Sequence, residues 1–105
     1  FAINIHALEV YPCYIQTLIL NEDYEEAMRL IDFALTIKGI SKAGVFIKKA
    51  ILFEVQHKFK KAMKEIRNAK LHSISYDSES EIRDVEKRIK GKMELVKKKA
   101  KKKSN

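Results

Sequence analysis

Four residues of this chain recur at a fixed offset of 35: Tyr24, Ala27, Ile31 and Ala34 return as Phe59, Ala62, Ile66 and Ala69. An aromatic followed by small and aliphatic residues at steps of three, four and three marks one face of a helix. The alanines lie where a neighbouring helix can come close. The same face returning one helical hairpin later predicts an α-solenoid, whose units bury their apolar faces only by stacking. The expected fold is therefore all-α: stacked antiparallel helical hairpins, closed by a long basic C-terminal helix. Three glycines and one proline in 105 residues agree with long helices and oppose a β-rich fold.

The hairpins are expected over about residues 9–37 and 41–72, within a unit spanning 1–77. Pro12 has no amide hydrogen and fits the first turn of a helix starting near Val10 or Tyr11. That helix would turn Tyr11, Tyr14, Ile15 and Leu18 inward and stop at Asn21-Glu22-Asp23. Asp23 can cap the next helix, and Glu25 and Glu26 suit its positive end. Lys38 and Gly39 then end the first hairpin near Ile37. Ser41 is the predicted cap of the second, Val45, Phe46, Ala50 and Phe53 its inner face, and Gln56-His57-Lys58 its turn. A polar linker follows over 72–77.

Residues 78–105 are expected to form a basic amphipathic capping helix and a disordered lysine tail. Ser78 and Glu81 have the spacing of a capping box. Ile82, Val85, Ile89, Met93, Val96 and Ala100 draw a narrow apolar stripe. Glu79/Arg83, Asp84/Arg88, Glu86/Lys90 and Glu94/Lys98 would pair along the helix. The stripe can cover the open end of the stack or drive self-association with a second chain. Gly91 predicts a bend or fraying in its middle.

Charge is divided along the chain. The net charge is +8, but residues 1–40 hold two basic and six acidic side chains and residues 41–105 hold twenty and eight. From Lys87 to Lys103 there are ten basic side chains and one acid, Glu94. Such a tail seeks a polyanion or an acidic protein surface. Its lysines, Lys97, Lys98, Lys99, Lys101, Lys102 and Lys103, read as a nuclear-import address, a phosphate contact or a solubilising end.

At the repeated positions the chain resembles the tetratricopeptide repeat family, whose unit is a pair of antiparallel helices. Tyr24/Ala27/Ile31/Ala34 and Phe59/Ala62/Ile66/Ala69 occupy the family's seats on the second helix. Ala50 and Phe53 sit at its small and aromatic seats on the first helix, where the earlier unit has Ile15 and Leu18. The basic last helix resembles the closing helix of co-chaperone and immunophilin-type members. The resemblance covers roughly residues 9–72 and implies a peptide groove lined by the first helix of each unit. The groove seats are Glu9, Cys13, Gln16 and Leu20, then Gly44, Ile47, Lys48, Ile51 and Glu54. Lys48 matches a basic seat of the family's carboxylate clamp, whereas Cys13 stands where the clamp has Asn and Gly44 where it has Lys. The 35-residue period also resembles pentatricopeptide repeats, which read single-stranded RNA.

Function is therefore expected to be protein–protein interaction, as an adaptor or co-chaperone-like module. The partner-binding groove would be formed by Cys13, Gln16, Lys48 and Ile51, and the partner would be a peptide or protein such as a chaperone. The alternative is nucleic-acid association through the basic helix. A nucleophile with a nearby base, a phosphate-cradling glycine loop and a His–carboxylate pair are all missing from the sequence, so no enzyme is expected. Cys13 has no second cysteine to bridge to, and His6, His57 and His72 are scattered, so neither a disulfide, a metal nor a cofactor is expected. No apolar run reaches the roughly 18 residues that cross a bilayer, and no membrane partner is expected. A reducing, cytoplasmic location follows, with the nucleus as the other reading. A start at Phe1 rather than Met reads as a piece of a longer protein.

Overall fold

A computed structural model describes the backbone of residues 10–103 and the side chains of residues 10–99. Five helices and no strands occur among the described residues: α1 (Val10–Leu20), α2 (Tyr24–Ala34), α3 (Lys42–Val55), α4 (Phe59–His72) and α5 (Tyr76–Lys103). The fold is all-α. Helix α1 packs on α2, α3 on α4, and α2 on α3. Helix α5 packs on both α4 and α3, as α3 packs on both α2 and α1, while α2 and α4 do not meet. The odd-numbered helices thus form one layer and the even-numbered helices the other. The slab measures 63 × 29 × 17 Å.

The two hairpin turns have the same backbone. At the end of α1, Asp23 N–H donates to the Leu18 carbonyl at 2.9 Å and Glu22 N–H to that of Ile19 at 3.1 Å. At the end of α3, Lys58 N–H donates to Phe53 at 2.8 Å and His57 N–H to Glu54 at 3.0 Å. This paired closure defines a Schellman turn, which needs a left-handed residue at its corner. Glu22 and His57 fill that corner, with φ of 63° and 62°. Every participant in the second turn lies 35 residues after its counterpart in the first, so the sequence repeat is also a repeat of backbone geometry.

Two clusters form the core. Ile15, Leu18 and Ile19 of α1 meet Ala27, Ile31 and Ala34 of α2, with Val45 and Leu52 of α3. Ile47 and Ala50, from the other flank of α3, meet Ala62, Ile66 and Ala69 of α4 and Ile82, Val85 and Ile89 of α5. Helix α3 is central to both, which explains its apolar residues on nearly every side. The alanines of the repeat are fully buried, where a larger side chain would hold the helices apart.

Several local expectations change. Tyr14 is 54% exposed, because α1 has one covered face and Ile15, Leu18 and Ile19 fill it. Asp23 precedes α2 but makes no side-chain cap bond. Ser41 does cap α3, its Oγ accepting from Gly44 N–H at 3.3 Å. Helix α2 stops at Ala34 and tightens into i to i+3 bonds from Thr36 and Ile37, leaving Gly39 at φ 87° to turn the chain. The last helix starts at Tyr76 because Ser75, not Ser78, caps it: Ser75 Oγ accepts from Ser78 N–H at 3.1 Å. It is then assigned as one helix through Gly91 to Lys103. Lys and Ala are good helix formers, and cations suit the negative end of the helix dipole.

Candidate partner-binding surface

The proposed groove seats fall on α1 and α3, neighbours in the odd-numbered layer. Lys48 Nζ donates to Gln16 Oε1 at 3.1 Å, so two of the four predicted site residues are brought into direct contact. Cys13 is exposed one turn before Gln16, and Ile51 is half-buried one turn after Lys48. Leu20 is 74% exposed on α1 and Val55 is exposed at the end of α3. The surface is therefore an apolar strip with one ammonium. That ammonium has three N–H donors, of which Gln16 takes one.

Two groove seats are corrected. Ile47 is fully buried and Glu54 is 1% exposed, because α5 lies over that flank of α3. Glu9 lies outside the described residues. The lysines Lys97, Lys98 and Lys99 are exposed. The side chains of Lys101, Lys102 and Lys103 lie outside the described ones.

Glu54 is instead the anchor of α5. Arg88 grips its carboxylate with two bonds of 2.7 Å, Nε to Oε2 and Nη2 to Oε1. Lys92 Nζ adds a contact of 2.9 Å. Burial alone would push the Glu54 carboxyl up, but the hydrogen bonds and charges of Arg88 and Lys92 outweigh it and hold the group below its ordinary value. The bond to Glu54 raises Arg88 in turn. Lys70 on α4 pairs with Glu86 on α5 at 2.7 Å, and Lys49 on α3 approaches Glu65 on α4 at 3.9 Å.

None of the four ion pairs expected along α5 forms among the described residues; Arg88 and Glu86 reach other helices instead. Sequence reasoning missed this cluster. Its one signal was Glu54, an acid among the apolar residues of α3, where an unpaired carboxylate would be costly.

The apolar stripe of α5 is largely consumed within the chain. Ile82, Val85 and Ile89 are buried and Met93 packs at their edge, so these residues are not open for pairing with a second chain. Leu95 and Val96 are exposed. Among the described residues no group of three or more His, Cys, Asp or Glu side chains is placed to hold a metal ion. No described helix is long and apolar enough to cross a membrane. Comparison with family models, curated proteins and solved structures returned no match.

Proposed function

We propose that this chain is a protein-interaction module that takes a peptide or helix along the α1–α3 face. The observation that carries this reading is the Lys48–Gln16 hydrogen bond, which ties two helices into one surface. Exposed Leu20, half-buried Ile51 and the remaining donors of Lys48 flank that bond. The chemistry suits a partner segment with an acidic group beside an apolar side chain: the carboxylate would take the free Lys48 donors while the apolar group covers Leu20 and Ile51. A lone ammonium supplies charge without the fork geometry of Arg, so the surface selects an acidic group rather than two carboxylates at fixed spacing. The resemblance to tetratricopeptide repeats supports an adaptor or co-chaperone-like role, with a chaperone tail as one such partner.

The test is an amide-resolved NMR titration with a panel of short peptides ending in acidic residues next to Leu, Val or Met. Shifts centred on Gln16, Lys48 and Ile51, abolished by Lys48→Glu, are the expected result. Shifts scattered over other helices, or unaffected by Lys48→Glu, overturn it.

A further inference from the structure

The outer face of the even-numbered layer carries the repeat a second time, with its charges inverted. At the 35-residue offset, Asp23, Glu25, Glu26 and Asp32 return as Lys58, Lys60, Lys61 and Arg67. All of these side chains are exposed. Helical spacing from the buried alanines puts Glu25, Arg29 and Asp32 on the side of α2 turned away from the core, and Lys60, Lys64 and Arg67 in the same seats of α4. Glu26 and Lys61 flank the two rows; the Lys61 ammonium also lies 5.9 Å from the centre of the Phe53 ring. One seat, Arg29 and Lys64, keeps its sign, and there Arg29 is already paired with Glu26 on its own helix at 3.2 Å. Within the chain the rows do not satisfy each other. Helices α2 and α4 do not meet, and among the described residues no ion pair joins them.

We infer that this face pairs with the same face of a second copy, about a two-fold axis that runs along the helices between α2 and α4. Such an axis keeps the helix direction and exchanges left for right. It lays α2 of one copy on α4 of the other, parallel and in matching seats, so that Glu25 meets Lys60 and Asp32 meets Arg67. The contact is isologous, so each pair occurs twice. An axis across the helices would instead lay α2 on α2 and α4 on α4, setting like charges together. Charge therefore selects the first arrangement. It also selects the occupant. Nucleic acid or a uniformly acidic protein would suit α4 but be repelled by Glu25, Glu26 and Asp32 on the helix beside it. The fitting partner offers both signs in reversed order at the spacing of these two helices, and a second copy does so by symmetry.

Apolar contact adds to the charge pairing. Phe33 is 57% and Leu71 80% exposed, and the seat of Leu71 on α4 is that of Thr36 on α2, one turn past Phe33. The two side chains thus approach each other across the interface. At the helical rise, α2 is about 16 Å long and α4 about 21 Å, a patch in the size class of weak, transient contacts. It shares no residue with the α1–α3 face.

Sedimentation equilibrium of the full chain at high micromolar loading tests the inference. In about 50 mM salt the chain should show a monomer–dimer equilibrium that weakens as added salt shortens the Debye length. Glu25→Lys/Asp32→Lys and Lys60→Glu/Arg67→Glu should each weaken the dimer at least about tenfold, with helicity retained because all four side chains are exposed. Combining the four substitutions restores the net charge and two opposite rows, and should restore the dimer. That exchanged chain should not pair with the parent, because like rows then face each other. In a mixture of heavy- and light-isotope parent chains, zero-length carbodiimide cross-links should join Glu25 or Glu26 of one chain to Lys60 or Lys61 of the other. A parent that stays monomeric at every loading overturns the inference, as do double variants that dimerise like the parent. So does an exchanged chain that stays monomeric or pairs with the parent as readily as with itself, and so do interchain cross-links that join other surfaces instead.

Discussion

Lys48 on α3 donates to Gln16 on α1 across 32 residues of chain, at 3.1 Å. One helix further on, Arg88 on α5 grips Glu54 on α3 across 34 residues. In both, a cation on the later helix reaches an oxygen on the earlier one, so the odd-numbered layer is stitched twice in the same direction. The first stitch is half-open to solvent and the second is anchored in a buried carboxylate. Their energetic roles should differ accordingly.

For the first stitch, a double-mutant cycle of Gln16→Ala and Lys48→Ala in urea unfolding should give a coupling of about 0.5 to 1.5 kcal/mol. A coupling near zero would mean the contact orients the two side chains without holding the helices.

The second stitch should show an asymmetry. Arg88→Ala leaves a buried carboxylate with only Lys92 and is expected to cost about 2 to 3 kcal/mol, discounted for the partial exposure of the arginine. Glu54→Leu removes the acid, fills the space with carbon and frees two cations that can reach water, so it should cost less. Equal losses in denaturant unfolding would contradict this ordering.

Acid should act on the same site. Glu54 has a lower pKa in the folded chain than its ordinary 4.5, so the unfolded chain takes up the proton first. Its stabilisation is complete above pH 4.5 and is lost as pH falls through the folded value. Melting temperature measured against pH should decline below that point, and the Glu54→Leu variant should decline less.

Both hairpin corners hold side chains at positive φ, where a Cβ is crowded. Glu22→Gly and His57→Gly should each raise stability, by up to about 1 kcal/mol, because the relieved strain outweighs glycine's extra freedom in the unfolded chain. Thermal melts that show a loss at both sites would contradict the relief of strain.

Ala62 is fully buried between α3, α4 and α5. Ala62→Leu is expected to cost about 1 to 3 kcal/mol through overpacking, read as a lower melting temperature with helicity retained at low temperature. An unchanged melt would mean that the helices do not pack there.

The hairpins were legible in the sequence because their signals are local and repeated. Ala27, Ala34, Ala62 and Ala69 announced close helix approach, and Asn21–Asp23 and Gln56–Lys58 announced turns. The stripe of Ile82, Val85 and Ile89 announced a face to be buried. Of the residues expected to line the groove, Gln16 and Lys48 lie on neighbouring helices and touch, a contact that nothing in the sequence announced. What stayed hidden depends on rotation of one helix against another. Ile47 and Glu54 read as groove residues because only α5, arriving more than thirty residues later, covers that flank of α3. Arg88 read as a partner for Asp84, yet a buried carboxylate offers it a drier and stronger contact. The helix start at Tyr76 was missed because Ser75 and Ser78 are both plausible caps, and only backbone geometry separates them.

The recurrence of the same left-handed corner at Glu22 and His57 has an architectural consequence. The chain enters and leaves the stretch between them in one backbone state, each end fastened by its own six-residue closure. That stretch is thereby a cassette: a tandem copy spliced at the corners would meet matching geometry on both sides and lengthen the slab by one hairpin.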